Sequence, residues 1–419
     1  MSIIAILNGT ITTIFLLVIL SYYVLFFVRR RKPRHHRRFS KMTVIIPAHN
    51  EALYIADCIR SVQASHFNGK KEIIVVDDGS IDDTYAISKE FESDSLKVLQ
   101  TNHSGKSATM NMAMRESSGD LIAVVDGDST ISPNALEEMA KEVSRRNVAA
   151  ATCIVKVKNR RRHIGMWLHV EQIYNSLIRS ILAKVNANIT TPGPLSVYRR
   201  KELEGIGGFS TEGFSEDLDV TIRLIRKGYR VTLSEDAYTE TNMPLDPKGF
   251  LRQRTRFARG MLNIFKRHLK LNRTLIDLYT LPVFAFTYIQ GVVMGSITLY
   301  KIISGYLTYY AGKGVFFSFG VVKFLFGWFS LYGFFDWTVK VATGVDPLTF
   351  ISAVGIFSTL LSYPMYLYAF LAYDRRFDIW HAIPFFFMFP FWFLIMIIYI
   401  ICLPEIFRKK QYNIWKKNE

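Results

Sequence analysis

Cysteine is scarce in this sequence: Cys58, Cys153 and Cys402 are the only three in 419 residues. They stand far apart, which excludes a disulfide framework and a zinc site built on cysteine spacing. They read as buried thiols in a reducing compartment. Acidic residues are also few, 35 against 52 Lys and Arg, giving a formal net charge of +17. Internal repeats and low-complexity tracts are absent, so nothing points to a solenoid.

A basic chain invites a nucleic-acid partner, but the placement of the charge argues against one. Basic residues fill positions 29–38 directly behind an apolar stretch, and Arg408, Lys409, Lys410, Lys416 and Lys417 follow another. Lys and Arg beside spans are what the positive-inside rule produces. A lipid bilayer is the expected partner.

The hydrophobic half of the composition is unevenly spread. Residues 3–28 are long and apolar enough to cross about 30 Å of hydrocarbon. A cleaved signal peptide would carry basic residues in front and a small-residue cleavage site behind. Here the basic cluster follows, so the segment reads as an anchor with its N-terminus outside. Further apolar stretches at 279–300, 315–335, 348–373 and 383–403 bring the expectation to about five spans. Gly312, Lys313, Gly314 and Lys323 interrupt the second of them. An odd count leaves the basic tail at 404–419 in the cytosol and puts the Asp374-Arg375-Arg376 loop outside.

Residues 41–273 change pattern to short apolar runs alternating with helical periodicity. Strands are expected at 43–47, 73–78, 97–99 and 121–125, with helices near 50–64, 82–91 and 106–116. Continuous apolar strands between helices indicate a parallel, doubly wound α/β sheet, whose ligands sit beyond the strand carboxyl ends. Interfacial helices are expected near 163–186 and 248–270, each strongly basic in part.

Acidic residues mark two strand ends. Asp77-Asp78-Gly79-Ser80 suits either a turn or a carboxylate pair that hydrogen-bonds a base and ribose. Asp126-Gly127-Asp128 suits Mg²⁺ or Mn²⁺, with substrate phosphates completing the ligand set. His103-Ser104-Gly105-Lys106 opens a helix, where backbone N–H groups and the lysine favour an anion such as phosphate. Ser215-Glu216-Asp217 also opens a helix, closed at Gly228, and the acidic pair suits its positive end. Alternatively, Asp217 is a general base toward an acceptor hydroxyl. Gln253-Arg254-Thr255-Arg256-Phe257 suits headgroups, or a diphosphate beside a sugar ring.

In this order, and with Gly193-Pro194-Leu195-Ser196-Val197-Tyr198-Arg199-Arg200 between them, these motifs resemble the processive family 2 glycosyltransferases: chitin, hyaluronan, cellulose and poly-N-acetylglucosamine synthases. The resemblance covers roughly residues 43–260. It implies a nucleotide-diphospho-sugar transferase domain of GT-A type, one transmembrane helix before it and about four after it. Asp77 or Asp78 would then hold uridine with Lys106 nearby, and Asp128 with Asp126 would carry Mg²⁺ or Mn²⁺. Asp217 would be the base of inverting transfer. Gln253, Arg254, Arg256 and Phe257 would grip diphosphate and the acceptor's terminal sugar. Phenylalanine stands where the family has tryptophan, and Ser215 where it has threonine.

The implied enzyme is a metal-dependent hexosyltransferase of the plasma membrane with a UDP-sugar donor, N-acetylglucosamine preferred, and a cytosolic catalytic domain. Its acceptor is a growing β-linked polysaccharide, with or without translocation across the membrane, or a lipid carrier receiving one sugar. A nucleotide-sensing transporter is the alternative of another class, disfavoured because ionisable residues are nearly absent from the spans. The sequence is silent on an accessory subunit.

Overall fold

A computed structural model describes residues 3–29, 38–161, 164–213, 215–270, 274–374 and 379–407. The basic runs at 30–37 and 408–419, Arg162, and the Arg375-Arg376 pair lie outside the described residues.

Helix α1 (Ile3–Phe27) precedes a sheet of eight strands: β1 (Lys41–Ala48), β2 (Lys70–Asp77), β3 (Leu96–Gln100), β4 (Leu121–Val124), β5 (Ser129–Ile131), β6 (Val148–Val157), β7 (Ser196–Arg199) and β8 (Arg230–Thr241). Their spatial order is β3-β2-β1-β4-β7-β6-β8-β5. The four runs expected from continuous apolar character are β1 to β4, and they pair in parallel. Beyond them the sheet is mixed. Strand β7 runs antiparallel to β4 and β6, and β5 antiparallel to β8, while β6 and β8 are parallel. The all-parallel expectation therefore fails for this half, whose strands return without a crossover helix between every pair.

The sheet is covered by α2 (Ile55–Ala64), α3 (Thr84–Lys89), α4 (Lys106–Arg115) and α5 (Ala135–Ser144). Then come α6 (Gly165–Lys184), α7 (Arg200–Glu204), α8 (Glu216–Arg226) and α9 (Pro247–His268). Alternation within each strand divides the core between two faces. Val44, Ile46 and Val75 pack with α2 and α5, whereas Ile45 and Ile74 pack with Met110 of α4 and Leu224 of α8.

After the domain follow α10 (Leu281–Tyr309), α11 (Phe319–Phe329), α12 (Leu331–Ala342), α13 (Phe350–Tyr373), α14 (Ala382–Phe386) and α15 (Met388–Cys402). A third buried cluster joins α6 and α9 to this region through Leu177, Phe250, Leu262, Phe370, Phe391 and Ile395. The two expected interfacial helices are thus the platform on which the domain meets the apolar helices.

Four helices among the described residues are long and apolar enough to cross a membrane, one N-terminal and three C-terminal. The difference from five lies at 315–335. Ser330 adopts an extended backbone (φ −125°, ψ 158°) and its hydroxyl accepts the Gly333 N–H, capping α12 and splitting the stretch. The resulting helices of 11 and 12 residues reach only about 16–18 Å each, short of about 30 Å. Gly333 is required there, since a Cβ on it would fall 1.6 Å from the Gly327 carbonyl oxygen.

Asp374, expected in an outer loop, contacts the soluble domain. It ends α13 against the soluble domain, where its carboxylate meets Arg160 Nη1 at 3.0 Å, His169 Nε2 at 3.0 Å and Lys156 Nζ at 3.8 Å. His169 Nδ1 accepts the Val157 N–H at 3.2 Å, so the ring proton sits on Nε2 and is donated to Asp374.

Candidate active site

The cleft opens where β1, β2 and β4 end and β7 begins. Parallel pairing aligns Ala48 with Asp77, and the antiparallel register of Val124 with Ser196 brings Gly193 over the end of β4. The lining includes Lys106, Thr191, Gly193, Tyr198, Glu216 and Asp217.

Asp77 and Asp78 are both fully buried. Asp77 Oδ2 accepts from Ser80 N and Gln100 Nε2, each at 3.2 Å, while its Oδ1 has no hydrogen-bond partner among the described residues. Asp78 accepts from Thr101 Oγ1 (2.6 Å), Ser104 N (2.7 Å) and Gly105 N (2.8 Å). The backbone donors expected to face a phosphate at the start of α4 therefore face a carboxylate of the chain itself. Asp78 orders the turn that launches Lys106.

Lys106 reaches across the cleft. Its Nζ lies 2.7 Å from Asp126 Oδ1 and 3.2 Å from Glu216 Oε1. Burial acts to lower its pKa, but Asp126 and Glu216 outweigh burial and hold the ammonium charged well above its usual range. Asp217 is opposite in character. Burial first, then the neighbouring Glu216, push its carboxyl up to about 7, with Lys106 pulling the other way. The Asp217 carbonyl accepts from Thr221 Oγ1 at 2.6 Å and Thr191 Oγ1 at 3.2 Å, and Thr191 also bonds the buried Tyr198 hydroxyl at 2.8 Å. The base candidate is thereby tied to β7, which the turn at Gly193 precedes. A Cβ at Gly193 would lie 2.6 Å from both Asp126 Oδ2 and Lys106 Nζ, so a side chain there would displace one or both groups.

Asp128 lies at the other rim, its Oδ1 accepting from Ser129 Oγ at 3.0 Å and Thr241 Oγ1 at 3.3 Å. Pairing of β5 with β8 supplies this support. From there the chain runs through Met243, whose sulfur meets Gln253 Nε2 at 3.4 Å. Gln253 Oε1 is buried without a hydrogen-bond partner among the described residues. Arg256 and Phe257 are exposed on α9, Phe257 at 44%.

Arg254 departs from the expected diphosphate role. It is buried, its Nη1 donates to Glu171 Oε1 of α6 at 2.8 Å, and Nη2 makes a second bond to the same carboxylate. Phe250, Phe257 and Phe391 surround the guanidinium at 5.4–5.7 Å. One arginine of the motif thus fastens α9 to α6. Removing one partner of such a pair strands a buried charge, at about 3–5 kcal/mol. Arg254→Ala should lower the melting temperature of detergent-purified protein markedly, whereas Arg256→Ala should leave it within a degree or so.

Sequence reasoning missed several neighbours. Glu216, assigned only to the helix start, is a partner of Lys106. Glu51 is buried behind the Asp126-Gly127-Asp128 turn, its Cγ 3.3 Å from where a Gly127 Cβ would be. His49 and His103 stack at 4.4 Å, each with Nδ1 near the Asp78 carbonyl. The signal available for His49 and Glu51 was their place just after β1, a strand of the parallel half. The buried trio His169, Asp374 and His381 lies close enough together for a metal ion. It does not fit one: His169 Nδ1 is committed to Val157 N–H, and Arg160 and Lys156 already neutralise Asp374.

A parallel half-sheet ending in paired carboxylates, a mixed half behind it and an acidic helix start across the cleft define a GT-A type glycosyltransferase fold. Residues 43–207 match the family model described as Glycosyl transferase family 2. It is 30% identical over 273 residues to the probable glycosyltransferase YdaM of Bacillus subtilis, covering 61% of this chain and 65% of that protein. It is 30% identical over 237 residues to an N-acetylglucosaminyltransferase of Mesorhizobium japonicum, covering 52% and 55%. These matches span between half and two thirds of the relatives' lengths. In structure it is similar to the mannosyltransferase PcManGT of Pyrobaculum calidifontis, solved with GDP-Man and Mn²⁺, with a TM-score of 0.62, 18% identity and coverage of 89% and 99%.

Proposed function

We propose that this protein is a membrane-embedded inverting glycosyltransferase that transfers N-acetylglucosamine from a UDP-sugar to a growing β-linked glycan. The observation that carries the reading is the meeting of Asp126, Lys106, Glu216 and Asp217 in one cleft at the strand carboxyl ends. A carboxyl raised to about 7 stands ready to accept a proton near neutral pH, as a general base requires. Asp217 would take the proton of the acceptor hydroxyl as that oxygen attacks the anomeric carbon, and a single displacement inverts the configuration. Lys106 would hold Asp126 in place, and Asp77 Oδ1 remains available to a donor group of the base or ribose. The relatives named as N-acetylglucosaminyltransferases support the choice of sugar.

A divalent metal fits the residues present. Asp126 and Asp128 offer hard oxygen ligands at partly exposed positions, and the lack of a side chain at Gly193 leaves a cradle beside Asp126 Oδ2. When bound, Mg²⁺ or Mn²⁺ would neutralise the diphosphate leaving group.

The reading places the domain in the cytosol. Both Asp374 and Glu405 contact the domain, Glu405 through Arg259 at 3.0 Å and Lys266 at 3.0 Å. The basic flank behind α1 assigns the domain's side to the cytosol. A cysteine introduced at Ser40 should escape an impermeant thiol reagent in intact cells, and labelling there would reverse the assignment. Phe257 favours a second reading, transfer of one sugar to a lipid-linked acceptor, because a phenyl ring lacks an indole N–H for a held polymer. Incubating purified protein with radiolabelled UDP-sugars and sizing the product tests the donor and separates the two acceptors.

A further inference from the structure

Helix α15 carries no charged residue on any face, as a membrane-crossing helix would, yet both its ends are bonded to the soluble domain. At its start, the Phe387 carbonyl accepts the Trp167 indole N–H of α6 at 2.8 Å. Just past its end, Glu405 Oε1 meets Arg259 Nη2 of α9 at 3.0 Å, and the Glu405 carbonyl accepts from Lys266 Nζ at 3.0 Å. Between these points α15 follows α9. The Phe391 ring lies 6.2 Å from that of Phe250 and 5.7 Å from the Arg254 guanidinium. From there the two helices advance in the same direction to Glu405 and Lys266.

Helix α9 cannot accompany α15 through hydrocarbon. Lys248, Arg252, Arg256 and Lys266 are exposed along it, and each charge carried to the bilayer centre is costly. The burial pattern of α15 fits a helix with one seated side. Met388, Phe391, Ile395, Ile398 and Cys402 are buried at the three- and four-residue spacing of a single face. Opposite them Leu394 and Ile401 are 42% and 67% exposed. The seated face also meets α10, where the missing side chains of Gly291 and Gly295 admit Tyr399 and Met396. A crossing would besides carry Arg408, Lys409, Lys410, Lys416 and Lys417 away from the domain's side, against the positive-inside rule.

We propose that α15 does not cross the bilayer but lies along the membrane-facing surface of the domain, one face on α9 and α10 and the other against lipid acyl chains. It thereby holds α9, with Gln253, Arg256 and Phe257, at the membrane surface. The chain crosses three times, through α1, α10 and α13. Helices α1 and α13 run side by side in one direction, with Gly9 next to Ile351 and the Tyr23 hydroxyl donating to the Leu361 carbonyl at 2.7 Å. Helix α10 supplies the opposite passage between them. None of this depends on which sugar is transferred.

The test uses the full chain in intact cells, with single introduced cysteines and an impermeant maleimide as probe. The native Cys58, Cys153 and Cys402 are buried, whereas Phe407 and Val345 are exposed. Phe407→Cys should behave as Ser40→Cys does, both staying unlabelled until the membrane is permeabilised. Val345→Cys, between α12 and α13, should label from outside. Any difference between Phe407→Cys and Ser40→Cys overturns the proposal, because α15 then separates them. A Val345→Cys that shares the behaviour of Ser40→Cys overturns the three crossings. Labelling of both Ser40→Cys and Phe407→Cys from outside would keep α15 uncrossed and reverse only the cytosolic assignment of the domain. As a second measurement, a short bis-maleimide should join Arg259→Cys to Glu405→Cys within one chain in membranes. Absence of that link, with both thiols reactive, overturns the seating of α15 on α9.

Discussion

Asp217→Asn should cut sugar transfer by about 10²–10⁴-fold, the usual worth of a positioned general base, while leaving donor affinity close to wild type. The amide keeps the shape of the side chain but has no lone-pair basicity to take the acceptor's proton. The same substitution should stabilise the protein above neutral pH. In the unfolded chain the carboxyl ionises near 3.9, whereas in the cleft it does so at about 7. As pH rises between these values the unfolded state loses its proton first, so stability falls through that window and the full cost persists above it. Asn cannot ionise and escapes this cost. At pH 8 the variant should melt higher than wild type, and at pH 4 the two should coincide. For wild type, kcat/KM should rise with pH through about 7. Glu216→Gln should move that limb to lower pH, because it removes the like charge beside Asp217. Turnover, donor binding and melting curves on these variants form one decisive set. Near-normal transfer by Asp217→Asn would remove the base from the mechanism.

Asp128→Ala should abolish transfer while the protein still folds and inserts. Asp128 is partly exposed at the rim of the cleft, held by Ser129 and Thr241 rather than packed in the core, so its loss leaves no cavity of consequence. What it removes is a hard oxygen ligand from the pair proposed to hold a divalent cation. Excess EDTA should reproduce the effect in the wild type, with Mg²⁺ or Mn²⁺ restoring activity and neither ion rescuing Asp128→Ala at ordinary concentration. The variant should keep its melting temperature in the absence of metal. Undiminished turnover in EDTA would count against the assignment, whatever the variant does.

How far the sequence carried the argument differs from element to element. Strands β1, β2 and β4 were legible because each is buried on both faces over a continuous apolar run, whereas β3, at the sheet edge, shows only alternating burial. Strands β5 and β7 were not, being three and four residues long and stabilised by register with distant partners. The helix at Glu216 was legible from its acidic start and from Gly228, which does adopt a positive φ of 89°. That Ser215 caps it was only half right, since the residue holds the cap position without a side-chain hydrogen bond. The break at Ser330 was hidden because the flanking residues are apolar throughout, and hydropathy does not register one extended residue.

Sequence alone determined the carboxylates, their order, and their positions after buried strands, because local patterning fixes which residues follow a strand. It also determined that the chain carries apolar helices at both ends, since hydrocarbon thickness sets a length that composition reveals. Tertiary structure decided which charges meet. Arg254 and Arg256 look interchangeable in the chain, yet one is locked to Glu171 and the other exposed, because an α-helix turns successive residues to different faces. Lys106, Asp126 and Glu216 are separated by up to 110 residues, and only the pairing of β4 with β7 and the seating of α8 across the cleft bring them within 3.2 Å. The raised pKa of Asp217 belongs to the same level, because burial and a neighbouring charge exist only once the chain has folded.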